Sequence, residues 1–219
     1  NQEKIGINPR PNQEDGTVDI DYSVEEKSSD QLELSAGWGG GIGLTGTVGV
    51  TFNNFSLKNI LKKSAWDPLP MGDGQKLSLR IQSNGRAFRS YNFSFTEPWL
   101  GGKKRNSLTI GFNSSRFSNA FDPFTGRIDK ARSDTNYLST SGFSVAFGKQ
   151  LKWPDDYFNF VFTFNYTLYK LSNYPIFSAD FTSGTSNNVS IKFALQRSSV
   201  FNPIFPTSGS NFLASVQLT

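Results

Sequence analysis

The stretch DYFNFVFTFNYTLYK, residues 156–170, decides how this chain is read. Phe158, Phe160, Phe162, Phe164, Tyr166 and Leu168 occupy every second position, with Asn159, Thr163, Asn165 and Thr167 between them. Side chains of a strand alternate between two faces, so the spacing predicts one long strand with an apolar face and a mostly polar one. The same period of two runs through most of the chain. It gives Leu32, Leu34, Ala36 and Trp38, then Val48, Val50 and Phe52, then Leu77, Leu79 and Ile81. Tyr91, Phe93 and Phe95 follow, then Leu108, Ile110 and Phe112, then Phe143, Val145 and Phe147. After the 156–170 segment come Val189, Ile191, Phe193 and Leu195, and finally Phe212, Ala214, Val216 and Leu218. About nine strands are expected. An earlier alternating run, TVDIDYSVEEK at 17–27, stands apart from them, after a polar stretch carrying Pro9 and Pro11 that reads as a loop. Helical spacing occurs only at Leu57, Ile60 and Leu61, where a short helix and an irregular turn remain equally open.

Composition narrows the class. The chain has 219 residues, 21 of them Phe, and aromatics make up 15%, which is far from the composition of a disordered chain. No run of about 18 apolar residues exists, which excludes a helical membrane protein but not a barrel. With no Cys and no His there is no disulfide framework, no Ser-His or Cys-His nucleophile and no ordinary zinc site. No cofactor and no metal are expected, and the reading is not an enzyme. The net charge of +4 comes from scattered Lys and Arg, so no nucleic-acid partner is expected. Asp122, Asp129, Asp134, Asp155 and Asp156 read as solvated loop carboxylates.

Alternation alone fits a soluble sandwich or a barrel in lipid. The uniformly large apolar face, the Ser/Thr/Asn/Gln/Gly opposite face and segments of about nine residues or more favour lipid. Trp38, Trp99, Trp153, Tyr137 and Tyr157 stand at segment ends, as aromatic belts do. The expected fold is therefore all-β, a transmembrane antiparallel β-barrel. Connections alternate: those after Gly39, Asn84, Ser118 and Asn173 are glycine-bearing or long and polar, while those around Pro98, Pro154 and Pro203 carry Pro and aromatics. The second set, with 54–74 by parity, is expected to be periplasmic.

Several segments resemble the BamA family of outer-membrane assembly factors. TVDIDYSVEEK is similar to the last strand of a final POTRA domain, and QLELSAGWGG (31–40) to the glycine-bearing first barrel strand. VTFNNFSLKN (50–59), FSFTEPWLGGK (93–103) and FNPIFPTSGSNF (201–212) resemble later strand ends and turns, in the family's order. The resemblance implies residues 1–30 as the end of a POTRA domain and hinge, with the hinge at 25–30. It implies 31–219 as the N-terminal part of the barrel, about nine of roughly sixteen strands. The family's Arg-Gly-Phe-type loop motif is missing, and a piece of a larger barrel is expected.

The resemblance also implies a function: folding and inserting β-barrel proteins into the bacterial outer membrane. The implied substrate-pairing edge is Gln31, Leu32, Glu33, Leu34, Ser35, Ala36, Gly37, Trp38 and Gly39. Gly37, Gly39, Gly40 and Gly41 are candidate seam glycines, which weaken pairing; space for the lumen or a tight turn explains them equally well. Asn54, Phe55, Pro98, Trp99, Pro203, Phe205, Pro206 and Gly209 are the candidate periplasmic-turn residues. Implied partners are the outer-membrane bilayer, nascent β-barrel substrates and accessory lipoproteins. Rival readings are a POTRA-barrel transporter exporting a polypeptide, a passive porin-like channel, and a barrel-borne enzyme, the last lacking a His within these residues.

Overall fold

A computed structural model describes residues 5–12, 16–24, 30–39, 43–66, 69–102, 105–118, 121–122, 124–174, 182–201, 204 and 207–219. Two strands, β1 (Ile5–Asn12) and β2 (Thr17–Val24), pair antiparallel as a separate two-stranded sheet. The main body is one antiparallel sheet of nine strands. It comprises β3 (Gln31–Gly39), β4 (Gly43–Phe55), β5 (Gln75–Asn84), β6 (Phe88–Glu97) and β7 (Asn106–Ser118). After an excursion through β8 (Phe121–Asp122), β9 (Arg127–Ile128) and α1 (Lys130–Thr135), it continues with β10 (Tyr137–Gln150), β11 (Phe158–Ser172), β12 (Gly184–Ser198) and β13 (Asn211–Leu218). Each strand pairs with its predecessor in this order, so the sheet is a meander with β3 at one edge and β13 at the other.

Register places the apolar sets of the nine strands on one face of this sheet. A single row runs Phe52, Leu77, Phe95, Ile110, Val145, Phe164, Ile191, Leu218. The adjacent row on the other face runs Thr51, Ser78, Ser94, Gly111, Ser144, Asn165, Ser190. The polar face is crowded with short side chains, and its glycines make room for them: a Cβ at Gly111 would meet the Ser144 hydroxyl at 2.6 Å.

Among the described residues no second sheet lies over the apolar face. Among the described residues the buried hydrophobics are Phe55 and Leu171, while Val216 is 63% exposed and Phe112 49%. A sandwich would bury this face against a second sheet; here the hydrocarbon core of a bilayer has to cover it.

Two expectations change, and one open alternative resolves. Residues 5–12 form a strand, not a loop: Pro9 and Pro11 lie opposite Ile20 and Val18. Their spacing of two puts both missing N–H groups on one lateral edge, so the ladder to β2 can survive. Several strands also outrun their apolar patterns, β10 starting at Tyr137 and β12 at Gly184. Beyond the lipid band both faces meet water, so alternation fades while pairing continues. The helical spacing at 57–61 resolves into turns followed by a single 3-10 turn at Lys63–Ala65.

Candidate functional site

The candidate site is the β3 edge. All nine β3 residues pair with β4, from Gln31 opposite Thr51 to Gly39 opposite Gly43, and among the described residues no strand lies on the other side. Nine extended residues cover about 30 Å, the thickness of a hydrocarbon core. Along that length the outward backbone groups have no ladder partner among the described residues, a costly state in lipid unless another strand supplies one.

Leu32, Leu34 and Trp38 project, exposed, from the apolar face, with Ala36 between them. Gln31, Glu33, Ser35 and Gly37 line the polar face. Glu33 is tied across two strands. Arg80 on β5 reaches over Gly49 on β4, its Nε donating to Glu33 Oε2 and its Nη2 to Oε1, both at 3.0 Å. Gly49 is what leaves room, since a Cβ there would sit 3.2 Å from Glu33 Oε2 and 3.5 Å from Arg80 Cγ. At the start of the strand Asp30 Oδ1 accepts from the Asn53 amide at 3.0 Å. Further along, Ser35 Oγ accepts from the Thr47 amide at 3.1 Å. Gly37 faces Thr45, whose hydroxyl donates to the Gly37 carbonyl at 3.3 Å and would meet a Cβ at 3.1 Å. Arg80 and Gly49 were absent from the sequence-derived set. Their signal was opposite charges on the polar faces of the first and third strands with a glycine between.

The described candidate turn residues, Asn54, Phe55, Pro98, Trp99 and Gly209, occupy the opposite end of the sheet from Gly37 and Gly39. Four converge. Phe55 packs edge-on against Phe95 with centroids 6.2 Å apart, and Asn54 Oδ1 accepts from the Gly74 amide at 3.0 Å. Pro98 follows the last residue of β6, and the Trp99 amide donates to Glu97 Oε1 at 2.9 Å. Gly209 lies in the β12–β13 connection, several strands away, at φ +99°. Pro203, Phe205, Pro206, Gly40, Gly41 and hinge residues 25–29 lie outside the described residues.

Three of the loop carboxylates, Asp122, Asp129 and Asp155, have structural roles. Asp129 Oδ1 caps α1 through the Ala131 amide at 2.9 Å. Asp155 Oδ2 accepts from Arg197 Nη2 at 2.9 Å, and its Oδ1 from the Tyr157 amide at 3.0 Å. Asp122 takes the Phe124 amide at 2.9 Å and the Thr125 hydroxyl at 3.0 Å, and these two donors hold its carboxyl below the usual range. Among the described residues no group of three or more acidic side chains could hold a metal ion. A shallow hollow of about 200 Å³ on the polar face is lined by Ser78, Asn92, Ser94, Asn113 and Ser144 among others.

The Omp85 superfamily domain matches residues 71–219. The fold is also similar to that of the crystal structure of BamA from Haemophilus ducreyi lacking POTRA domains 1–3. The two share 20% identity at a TM-score of 0.52, over 99% of this chain. This chain spans 39% of the length of that one. No curated protein matches.

Proposed function

The chain belongs to the Omp85 superfamily, and on that premise we propose that it assembles outer-membrane proteins, with β3 as the strand that templates incoming β-strands. An Omp85 barrel lies in the outer membrane, so an edge such as β3 meets substrate within lipid. The observation that carries the reading is the unshared edge of β3, nine residues long with its other side unpaired among the described residues. Antiparallel addition to such an edge uses backbone groups for affinity and alternate side chains for register. Hydrophobic substrates gain apolar neighbours in Leu32, Leu34 and Trp38. The work is non-enzymatic on this reading, needs no cofactor, and suits a sequence without His or Cys. Residues 1–30 act as the end of a periplasmic POTRA module, with 25–30 as its hinge. Accessory lipoproteins dock on the periplasmic side.

The test is disulfide pairing in the full-length protein. Cysteines at Leu34 or Ala36 should crosslink to the terminal strand of a stalled barrel substrate, in one register and its two-residue repeats. No crosslink in any register overturns the proposal. The rival is export through the lumen, which the short-side-chain polar face would suit. It predicts crosslinks from Ser78 or Ser144 in the polar-face hollow and none from the edge.

A further inference from the structure

The β4–β5 connection, residues 56–74, is far longer than the two to five or so residues that join neighbouring antiparallel strands. Its own polar contacts hold it. The buried Ser56 hydroxyl donates to Asp73 Oδ2 at 2.6 Å and accepts from the Asn59 amide at 3.1 Å. The Asn59 side chain donates to the Met71 carbonyl at 3.0 Å, and the Trp66 indole to the Ile60 carbonyl at 3.1 Å. Gln75 fixes where the connection lies. It stands on the apolar face in line with Leu77 and Leu79, yet it is only 3% exposed. Its Oε1 accepts from the Leu57 amide at 2.7 Å, and its Nε2 donates to Glu97 Oε2 at 2.6 Å. The connection therefore folds back over the apolar face, at the rim of the lipid-facing band.

What it displays there is basic and apolar together. Leu61 is 94% exposed, and Leu57, Ile60, Lys58, Lys62 and Lys63 are exposed beside it. The sequence from 57 to 66 contains no acidic residue, although Asp67 follows it and Lys58 Nζ lies 3.9 Å from Asp73 Oδ1, so Lys62 and Lys63 are the main source of its net positive charge. Trp66 and, on the neighbouring connection, Trp99 are half-exposed. At a membrane rim, leucine tips enter the acyl boundary, indoles sit at headgroup depth, and lysines reach up to phosphate. We propose that residues 57–66 form a binding site for anionic phospholipid headgroups, anchoring this end of the barrel in the interface. The site rests on the barrel's place in a bilayer and not on the templating edge. Continuity with the lipid-facing band favours lipid over a soluble protein partner, which would approach from the aqueous side.

The test uses full-length protein in vesicles, with a fluorophore on Leu61→Cys and headgroup spin-labelled phosphatidylglycerol or phosphatidylcholine as quencher. Phosphatidylglycerol should quench at least about threefold better at equal mole fraction, given the attraction of each surface lysine to anionic lipid. The triple variant K58Q/K62Q/K63Q, or 0.5 M salt without any mutation, should bring the ratio to about one by removing or screening that attraction. A label on Phe124→Cys, in a connection at the opposite end, should show a ratio near one throughout. A wild-type ratio near one, or a Leu61 label shielded only after an accessory protein is added, overturns the proposal. Neither result would disturb the crosslinks expected from Leu34 and Ala36.

Discussion

At the scale of single residues, two positions make sharp demands. Gly209 sits at φ +99°, and a Cβ there would collide with the Ser199 carbonyl oxygen. Gly209→Ala should therefore destabilise the β12–β13 connection by about 1–3 kcal/mol, read as a lower urea midpoint. Its sequence context suggested a turn glycine; the collision across the turn is visible only once Ser199 and Ser210 are brought together, the Ser199 amide donating to the Ser210 carbonyl at 2.9 Å. Asp122 is the second position. Its two hydrogen-bond donors favour the charged form, so the folded pKa lies below the ordinary 3.8. A depressed carboxylate contributes its full stabilisation above the unfolded pKa and loses it as pH falls through the folded one. The turn at 122–126 should thus persist as pH drops through 3.8 and loosen only below it. Carbon-13 titration of the Asp122 carboxyl checks this, and a midpoint at or above 3.8 contradicts it.

Among elements, β3 is distinctive because, among the described residues, β4 alone pairs with it while β5 also holds it through Arg80. Arg80 and Glu33 are 47 positions apart in sequence and meet only because two ladders align over Gly49. Both partners are about half exposed, so the link is a modest one. Arg80→Gln should raise amide exchange in β3 a few-fold, leave β10 and β11 unchanged, and preserve the fold. Glu33→Gln should do the same, and the double variant should add little, since both remove one interaction. The bulge in β4 is a second decision at this scale. Register moves from Phe52 opposite Leu77 to Phe55 opposite Gln75, three residues against two. The extra residue keeps Phe52 and Phe55 on the same face, where strict alternation would separate them. This is why Phe55 reaches Phe95, and why the connection that follows lies over the apolar face.

For the whole molecule the governing fact is one sheet with two solvents. The apolar face faces lipid and the polar face faces an aqueous lumen. Charge should therefore be tolerated by side and not by strand. Phe164→Arg, in the row between Val145 and Ile191, should destabilise the folded barrel in lipid by about 2–4 kcal/mol, whereas Thr163→Arg on the polar face should change it little. Denaturant unfolding from vesicles measures both, and equal effects would contradict the assignment of faces. Both edge strands also need partners in a bilayer, since unpaired backbone in hydrocarbon is strongly disfavoured.

The sequence by itself determined the strands of the sheet and the two faces of each, because side-chain alternation is a local property of extended backbone. It also marked where connections fall, through Gly, Pro and polar runs. It misread residues 5–12 because proline argues against strands in general yet is compatible with an edge, and nothing local reveals an edge. The tertiary structure decided what depends on pairing between distant segments: the common register that joins separate apolar sets into one face, the Glu33–Arg80 link, the Phe55–Phe95 contact, and the fold of 56–74 over the lipid-facing rim. Ladder hydrogen bonds fix which residues stand opposite one another, and no local pattern contains that information.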